Sequence, residues 1–474
     1  MSGQTQTPVP GRGRALKLAL IFFCSAALFF TPAPAGLEPR AWALFAIFIG
    51  TIALVVVNVV PVVLAALIGA AAAVLTGTLT GKEAFAGFSE DFILLIVAAF
   101  LVSRAMLESG LGARIAWLII LRLGRSTLGL AYSMVITDLL IGGAFPSNTA
   151  RSGVLFPVLR AICENQRSLP GDESKNRIGR YLMMTSMAGL SLSSSLWVTA
   201  MAANLGGAKL AGEYGVTITF MSWAFAASVP VLVATAIVPW LLMRVLKPEV
   251  RNTPDAPQQA KAALAALGPM KRLEVITAVV FVAMVALWAL SGVLKVDRTA
   301  VAFAGLAVLV LTGAYPKGGF KKEGDALEIW LWFALLFSLS TQLNTLGFMK
   351  WLGAGIATAT AGLPPPLVYV LLTLAYVAIH YFFVSQSAHL LALMGVFMTV
   401  AVAAKVSPAL MAYQLLFATN YFSCLTPQGS SANVLFVGSG YFTTGDVYRY
   451  GGLVTAVNTV VFLTVGSLWL SLVA

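Results

Sequence analysis

The sequence predicts an all-α polytopic membrane protein of about eleven transmembrane helices plus two re-entrant helical hairpins, arranged as two inverted repeats. Three observations predict it. Apolar runs recur from Ala15 to Ala474; with 59% of residues hydrophobic and 10% charged, the chain has more apolar surface than a soluble core can absorb. Lys and Arg concentrate in alternate connections between those runs. Two polar phrases, Pro146-Ser147-Asn148-Thr149-Ala150-Arg151 and Val384-Ser385-Gln386-Ser387-Ala388-His389, interrupt apolar sequence about 238 residues apart.

In chain order the expected crossings are residues 15–30, 41–60, 62–76, 92–121, 180–197, 220–243, 273–290, 300–313, 329–357, 408–424 and 453–473. With the N-terminus cytoplasmic, Arg12 to Lys17, Arg122, Arg125, Arg160 to Arg180, Arg244 to Arg272, Lys317 to Lys322 and Arg449 fall inside. Arg40, Lys82, Lys209, Lys295, Arg298 and Lys405 fall outside, and the C-terminus is then periplasmic. The formal charge of +12 therefore marks topology in a lipid surround, with no nucleic-acid partner expected. The simplest home is a bacterial inner membrane. Arg12 to Lys17, the run 18–30 and Ala33-Pro34-Ala35 also fit a cleaved signal peptide. Cys24, Cys163 and Cys424 are scattered and imply neither a disulfide framework nor a metal site, and no cofactor is expected.

Residues 92–116 and 330–354 align with Gly110 and Gly347 in matching positions, at nearly the offset that separates the polar phrases. Two matches at one offset indicate an internal duplication. An odd number of crossings between the copies inverts them. The segment 244–271, rich in Pro, Ala, Gln and charge, reads as a cytoplasmic linker between the halves.

Residues 128–163 form an apolar segment with two arms, each too short to cross the hydrocarbon. Gly142 and Gly143 end the first arm, Pro146 punctuates the turn, and Ser147, Asn148 or Thr149 can cap the second. Residues 368–404 repeat the plan with Ser385, Gln386 and Ser387 at the tip, without the proline. Each tip points a helix N-terminus, with its partial positive charge, at the midplane, where irregular backbone is tolerated only inside protein or along a wet cavity. Arg151 and His389 lie two positions past the final hydroxyl of each tip. A buried cation at this depth calls for a functional explanation, and the pair suggests a two-ended anionic substrate. The plainer alternatives are an ion pair of Arg151 with Asp138 and a packing role for His389.

After each hairpin comes a span broken by polar residues: Ser191 to Ser195 through Thr199 to Asn204, then Thr426-Pro427-Gln428-Gly429-Ser430-Ser431-Ala432-Asn433. Thr199, Asn204, Thr426, Pro427, Gly429, Ser430 and Asn433 are candidate substrate contacts, with Asn204 and Asn433 as matched amides. Arg104 and Glu108, one helical turn apart, read as a local ion pair. Asp138 could relay a proton or orient Arg151.

These phrases resemble the divalent anion/sodium symporter (DASS) superfamily, whose twin Ser-Asn-Thr phrases occupy hairpin tips. The closer similarity is to its exchanger branch, the bacterial citrate/succinate and tartrate/succinate antiporters and plastid 2-oxoglutarate/malate translocators. PSNTARSGVLFPVL from Pro146, HYFFVSQSAHLLAL from His380, TAMAAN from Thr199 and TPQGSSANVLFVGSGY from Thr426 carry it, in order, over nearly the whole chain. The resemblance implies exchange of dicarboxylates such as 2-oxoglutarate, malate, succinate or citrate-like anions. It also implies a homodimer with an elevator-like moving part.

On that plan residues 1–14 are a cytoplasmic tail, 15–126 and 273–361 scaffold, 127–243 and 362–474 transport parts, and 244–272 the linker. Carried over by position, Ser147, Asn148 and Thr149 match the first tip phrase and Ser385 the second. Gln386 replaces Asn, Ser387 replaces Thr, and Gly429-Ser430-Ser431-Ala432-Asn433 replaces the Gly-Thr-Pro-Pro-Asn of sodium-coupled members. These departures put sodium coupling in doubt, with sodium-coupled symport as the alternative. An enzyme is not expected, since no His-Glu-x-x-His or paired catalytic Asp occurs.

Overall fold

The computed structural model describes residues 12–359 and 362–473. Residues 1–11 of the expected tail, and the boundary drawn at residue 361, lie outside the described residues. The described chain is helical, with one β-bridge, between Ser126 and Asn252, and no strand.

Among the described residues ten helices are long and apolar enough to cross a membrane, and Val62–Leu75 and Arg298–Leu311 are shorter apolar ones. Three of the ten are hairpin arms, Thr127–Ala144, Pro365–Phe382 and Gln386–Ala403; arms expected to be too short to cross are thus long enough by length and composition, because the helices run on to the turn at each tip. The other seven, the two shorter helices and two broken spans account for the eleven crossings expected. The broken spans are Gly179–Leu196 continued by Ala202–Gly212, and Pro408–Tyr421 continued by Ser431–Val437. Gly179–Leu196 and Pro408–Tyr421 are buried along most of their length and form the centre of the fold.

Two boundaries differ from the sequence reading. The runs 92–121 and 329–357 are each two helices, Asp91–Ser109 with Leu111–Leu123 and Gly324–Thr345 with Phe348–Ala359. The breaks fall at Gly110 (φ 78°) and Gly347 (φ 85°), left-handed positions that end a helix and that glycine occupies without steric cost. The matched glycines are thus repeat-related hinges of direction rather than packing residues.

Leu111–Leu123 leaves its span to pack on the linker, which is itself partly helical over Ala256–Leu267. Arg114 fixes that contact from a buried position. Its Nη2 pairs with Glu274 Oε2 at 3.0 Å and its Nη1 donates to the Gly268 carbonyl at 2.9 Å. The expected Arg104–Glu108 pair forms at 3.1 Å, and Arg104 also reaches Glu323 at 3.6 Å.

Candidate substrate site between the two hairpin tips

Both tips are built the same way. A short 3-10 turn, Gly142–Ala144 or His380–Phe382, ends the first arm, and a serine in extended conformation starts the second. Ser147 (φ −143°, ψ 123°) accepts from the Ala150 N–H at 3.4 Å, and Ser385 (φ −146°, ψ 126°) from the Ala388 N–H at 3.3 Å. Each serine satisfies one of the orphan donors at the start of Asn148–Asn165 or Gln386–Ala403. The matching turn, cap residue and cap bond at the two tips agree with the duplication read from the sequence.

The tips meet through their matched residues. Asn148 Nδ2 donates to Gln386 Oε1 at 3.2 Å across 238 positions, and the Thr149 and Ser431 hydroxyls lie 2.6 Å apart. Between them is a cavity of about 460 Å³. One wall is Pro146 to Thr149, Met201, Ala202, Val384 to Ser387, Ser430 and Ser431. The N-terminal ends of Asn148–Asn165, Ala202–Gly212, Gln386–Ala403 and the short Ser431–Val437 therefore converge on one space. Unpaired N–H groups and about half a positive charge per long helix make such a place favourable for an anion. The facing wall is Pro61 to Val63, Phe100, Asp325, Glu328, Ile329 and Trp332.

Of the residues singled out from sequence, Ser147, Asn148, Thr149, Ser385, Gln386, Ser387 and Ser430 line this cavity. Thr199, Asn204, Thr426, Pro427, Gly429 and Asn433 do not. Most of them brace the breaks. Asn204 Nδ2 donates to the carbonyls of Ser194 (2.9 Å) and Trp197 (3.2 Å), ten and seven residues back. Asn433 Nδ2 donates to those of Ser423 (2.7 Å) and Thr426 (3.0 Å), also ten and seven back. The matched amides thus satisfy carbonyls freed where each helix stops, which a buried break requires.

Thr199 Oγ1 holds the first tip through the Gly143 carbonyl at 2.9 Å. At the second tip Gln428 Nε2 donates to the Tyr381 carbonyl (3.4 Å) and His380 Nε2 to that of Gly429 (3.1 Å). Asn420, which no motif marked, ties the two breaks together by donating to Asn204 Oδ1 at 2.7 Å.

Arg151 and His389 are placed behind the tips, fully buried, and neither lines the cavity. Expected from sequence to meet the two ends of a bound anion, both side chains here lie away from the cavity lining. The guanidinium is turned inward by a dense set of acceptors: Nη1 lies 3.7 Å from Asp138 Oδ2 and donates to Ser193 Oγ at 2.9 Å, while Nη2 donates to Ser194 Oγ at 2.5 Å and to Asn148 Oδ1. Ser193 in turn donates to Asp138. Asp138 is thereby the counter-ion of Arg151.

His389 sits among rings instead. Tyr376 meets it edge-on at 4.3 Å between centroids, with Phe383 at 4.7 Å, Phe422 at 4.8 Å and His380 at 5.2 Å. Neither ring nitrogen of His389 has a hydrogen-bond partner among the described residues. No group of three or more His, Cys, Asp or Glu among them is arranged to hold a metal.

Residues 13–474 match the family described as the sodium:sulfate symporter transmembrane region. The chain belongs to this family. It is a multi-pass membrane protein of a transporter family, not an enzyme, and it falls with the DASS exchanger branch that its motifs resemble. The putative malate transporter YflS of Bacillus subtilis is 38% identical over 97% of each chain. The L-tartrate/succinate antiporter of Shigella sonnei is 30% identical, covering 93% of this chain and 95% of that one. The crystal structure of the Alcanivorax borkumensis YdaH transporter shares the fold, with a TM-score of 0.56 at 14% identity over 98% of this symporter-family chain and 99% of its own.

Proposed function

We propose that the protein exchanges dicarboxylate anions across a bacterial inner membrane by alternating access at the cavity between the tips. The observation that carries the proposal is the convergence of helix N-termini from both repeats on that one space. An anion there receives backbone N–H groups and hydroxyls rather than a single cationic side chain. The names of the relatives, a malate transporter and a tartrate/succinate antiporter, support the dicarboxylate class and the exchange mode.

Exchange is favoured over sodium coupling in this reading by Gln386, Ser387 and Gly429-Ser430-Ser431-Ala432-Asn433, which depart from the sodium-coupled pattern. Arg151 and His389 occupy equivalent positions behind the tips and outside the cavity, so the contacts to the anion belong to the tips themselves.

In this reading residues 127–243 and 362–474 move as an elevator-like transport part against 15–126 and 273–361 within a homodimer. The N-terminus is cytoplasmic and the C-terminus periplasmic. The test is a proteoliposome panel, one unlabelled dicarboxylate inside and labelled ones outside, with and without sodium. Uptake that requires internal dicarboxylate and ignores sodium is expected. Sodium-driven uptake into vesicles with no internal dicarboxylate would replace exchange with symport.

A further inference from the structure

We infer that Asp325 and Glu328 form an electrostatic filter at the mouth of the cavity, setting how tightly a dianion is held from the side on which the cavity opens. The inference rests on the anion-transport reading above. Asp325, Glu328, Ile329 and Trp332 follow the spacing of one helical face at the start of Gly324–Thr345, and all four line the cavity that the tips line. The two carboxylates are exposed, whereas Ile329 is buried. Among the described residues neither carboxylate has an ion-pair partner. The nearby Arg104 is engaged by Glu108 and Glu323. Among the described residues no Lys, Arg or His lines the cavity.

A site built for anions therefore has two negative charges in its own wall. The cavity is small enough to place them within about a Debye length, about 10 Å at 0.1 M salt, of anything bound at the tips. At that range each pair of like charges opposes binding, and the effect doubles for a dianion relative to a monoanion. Strong binding at the tips combined with repulsion at the mouth speeds release to one side. It also favours a half-protonated dicarboxylate over its dianion there. By the placement of Lys317 to Lys322, that side is the cytoplasmic one. An acidic first turn also suits a helix N-terminus, so the test needs a readout that a purely structural role leaves unmoved.

That readout is the salt dependence of KM on each face. Wild-type protein, Asp325→Asn, Glu328→Gln and the double variant are reconstituted, and dicarboxylate exchange is measured with the varied substrate on one face and then the other. At low ionic strength the double variant should lower KM about tenfold on the mouth side only, each single variant less. The difference should shrink several-fold in high salt. A KM change equal on both faces, or indifferent to salt, would assign the carboxylates to helix stability and overturn the filter. Should a variant fail to reconstitute, wild type alone decides, because its mouth-side KM for a dianion must fall as salt rises and a flat dependence overturns the inference. Wild-type protein that exchanges no dicarboxylate would instead remove the functional reading beneath it.

Discussion

The two tips share a backbone and differ in how the space behind them is filled. In the first repeat Arg151 is held by Asp138 and Ser193, with Gly142 leaving room for the guanidinium. In the second, 238 positions on, His389 stands for Arg151, Tyr376 for Asp138 and His380 for Gly142. The offset that relates Asn204 to Asn433 also relates Ser193 to Phe422, which stacks on His380 at 3.7 Å. Four positions have changed together, an ion pair with its serine in one copy and a box of rings in the other. The comparison teaches that tip geometry is the duplicated element and electrostatics the diverged one. The first tip compensates its cation internally, whereas the second leaves a polar ring with aromatic neighbours and no acid.

The largest effect that would break this comparison is expected from Arg151→Ala, which strands Asp138 in a fully buried site. A loss of about 3–5 kcal/mol is expected, read as a lower melting temperature in detergent and lost reconstitution. Asp138→Asn in the same chain should recover much of it, because the stranded charge is removed. At the second tip His389→Phe should cost far less, since the surrounding rings already accept an aromatic side chain.

Next come the braces. Asn204→Ala and Asn433→Ala each leave two buried carbonyls without their donor, an expected loss of about 1–3 kcal/mol apiece. Asn204→Ala should cost somewhat more than Asn433→Ala, because it also removes the acceptor of Asn420, and a negligible loss in either would break the view that the braces are duplicated. Gly142→Ala should cost a similar amount, because its added methyl would stand 2.8 Å from the Arg151 Nη1. The smallest effect is expected from Thr149→Val, which loses the 2.6 Å contact with Ser431 and about 1 kcal/mol of stability at most.

Much of this was legible in the sequence, and the reasons for the remainder are physical. The crossings show as apolar runs and the tips as polar phrases, because a bilayer makes polar residues rare enough to be informative. Gly110 and Gly347 were visible as a pair, but their breaks were not, since apolar sequence continues through Leu111–Leu123 and Phe348–Ala359. Asn204 and Asn433 could be matched by eye. That they serve backbone carbonyls depends on where an amide points, which spacing does not encode. Phe100, Ile329 and Trp332 of the facing wall are apolar residues in apolar runs and carry no signature. Asp325 and Glu328 could have been noticed as acids at the start of an expected span, yet nothing local ties them to a tip.

The most direct test of the central claim is the coupling of transport in two proteins altered behind the tips, Asp138→Asn/Arg151→Gln and His389→Phe. Labelled substrate is loaded into proteoliposomes, and its efflux is followed with and without external dicarboxylate, in sodium-free buffer. The account predicts that the first-tip double variant still requires external dicarboxylate, because it removes a pair whose charges cancel. His389→Phe should require it too, because the ring lies behind the tip and outside the cavity. Efflux without external dicarboxylate from either variant would contradict the account.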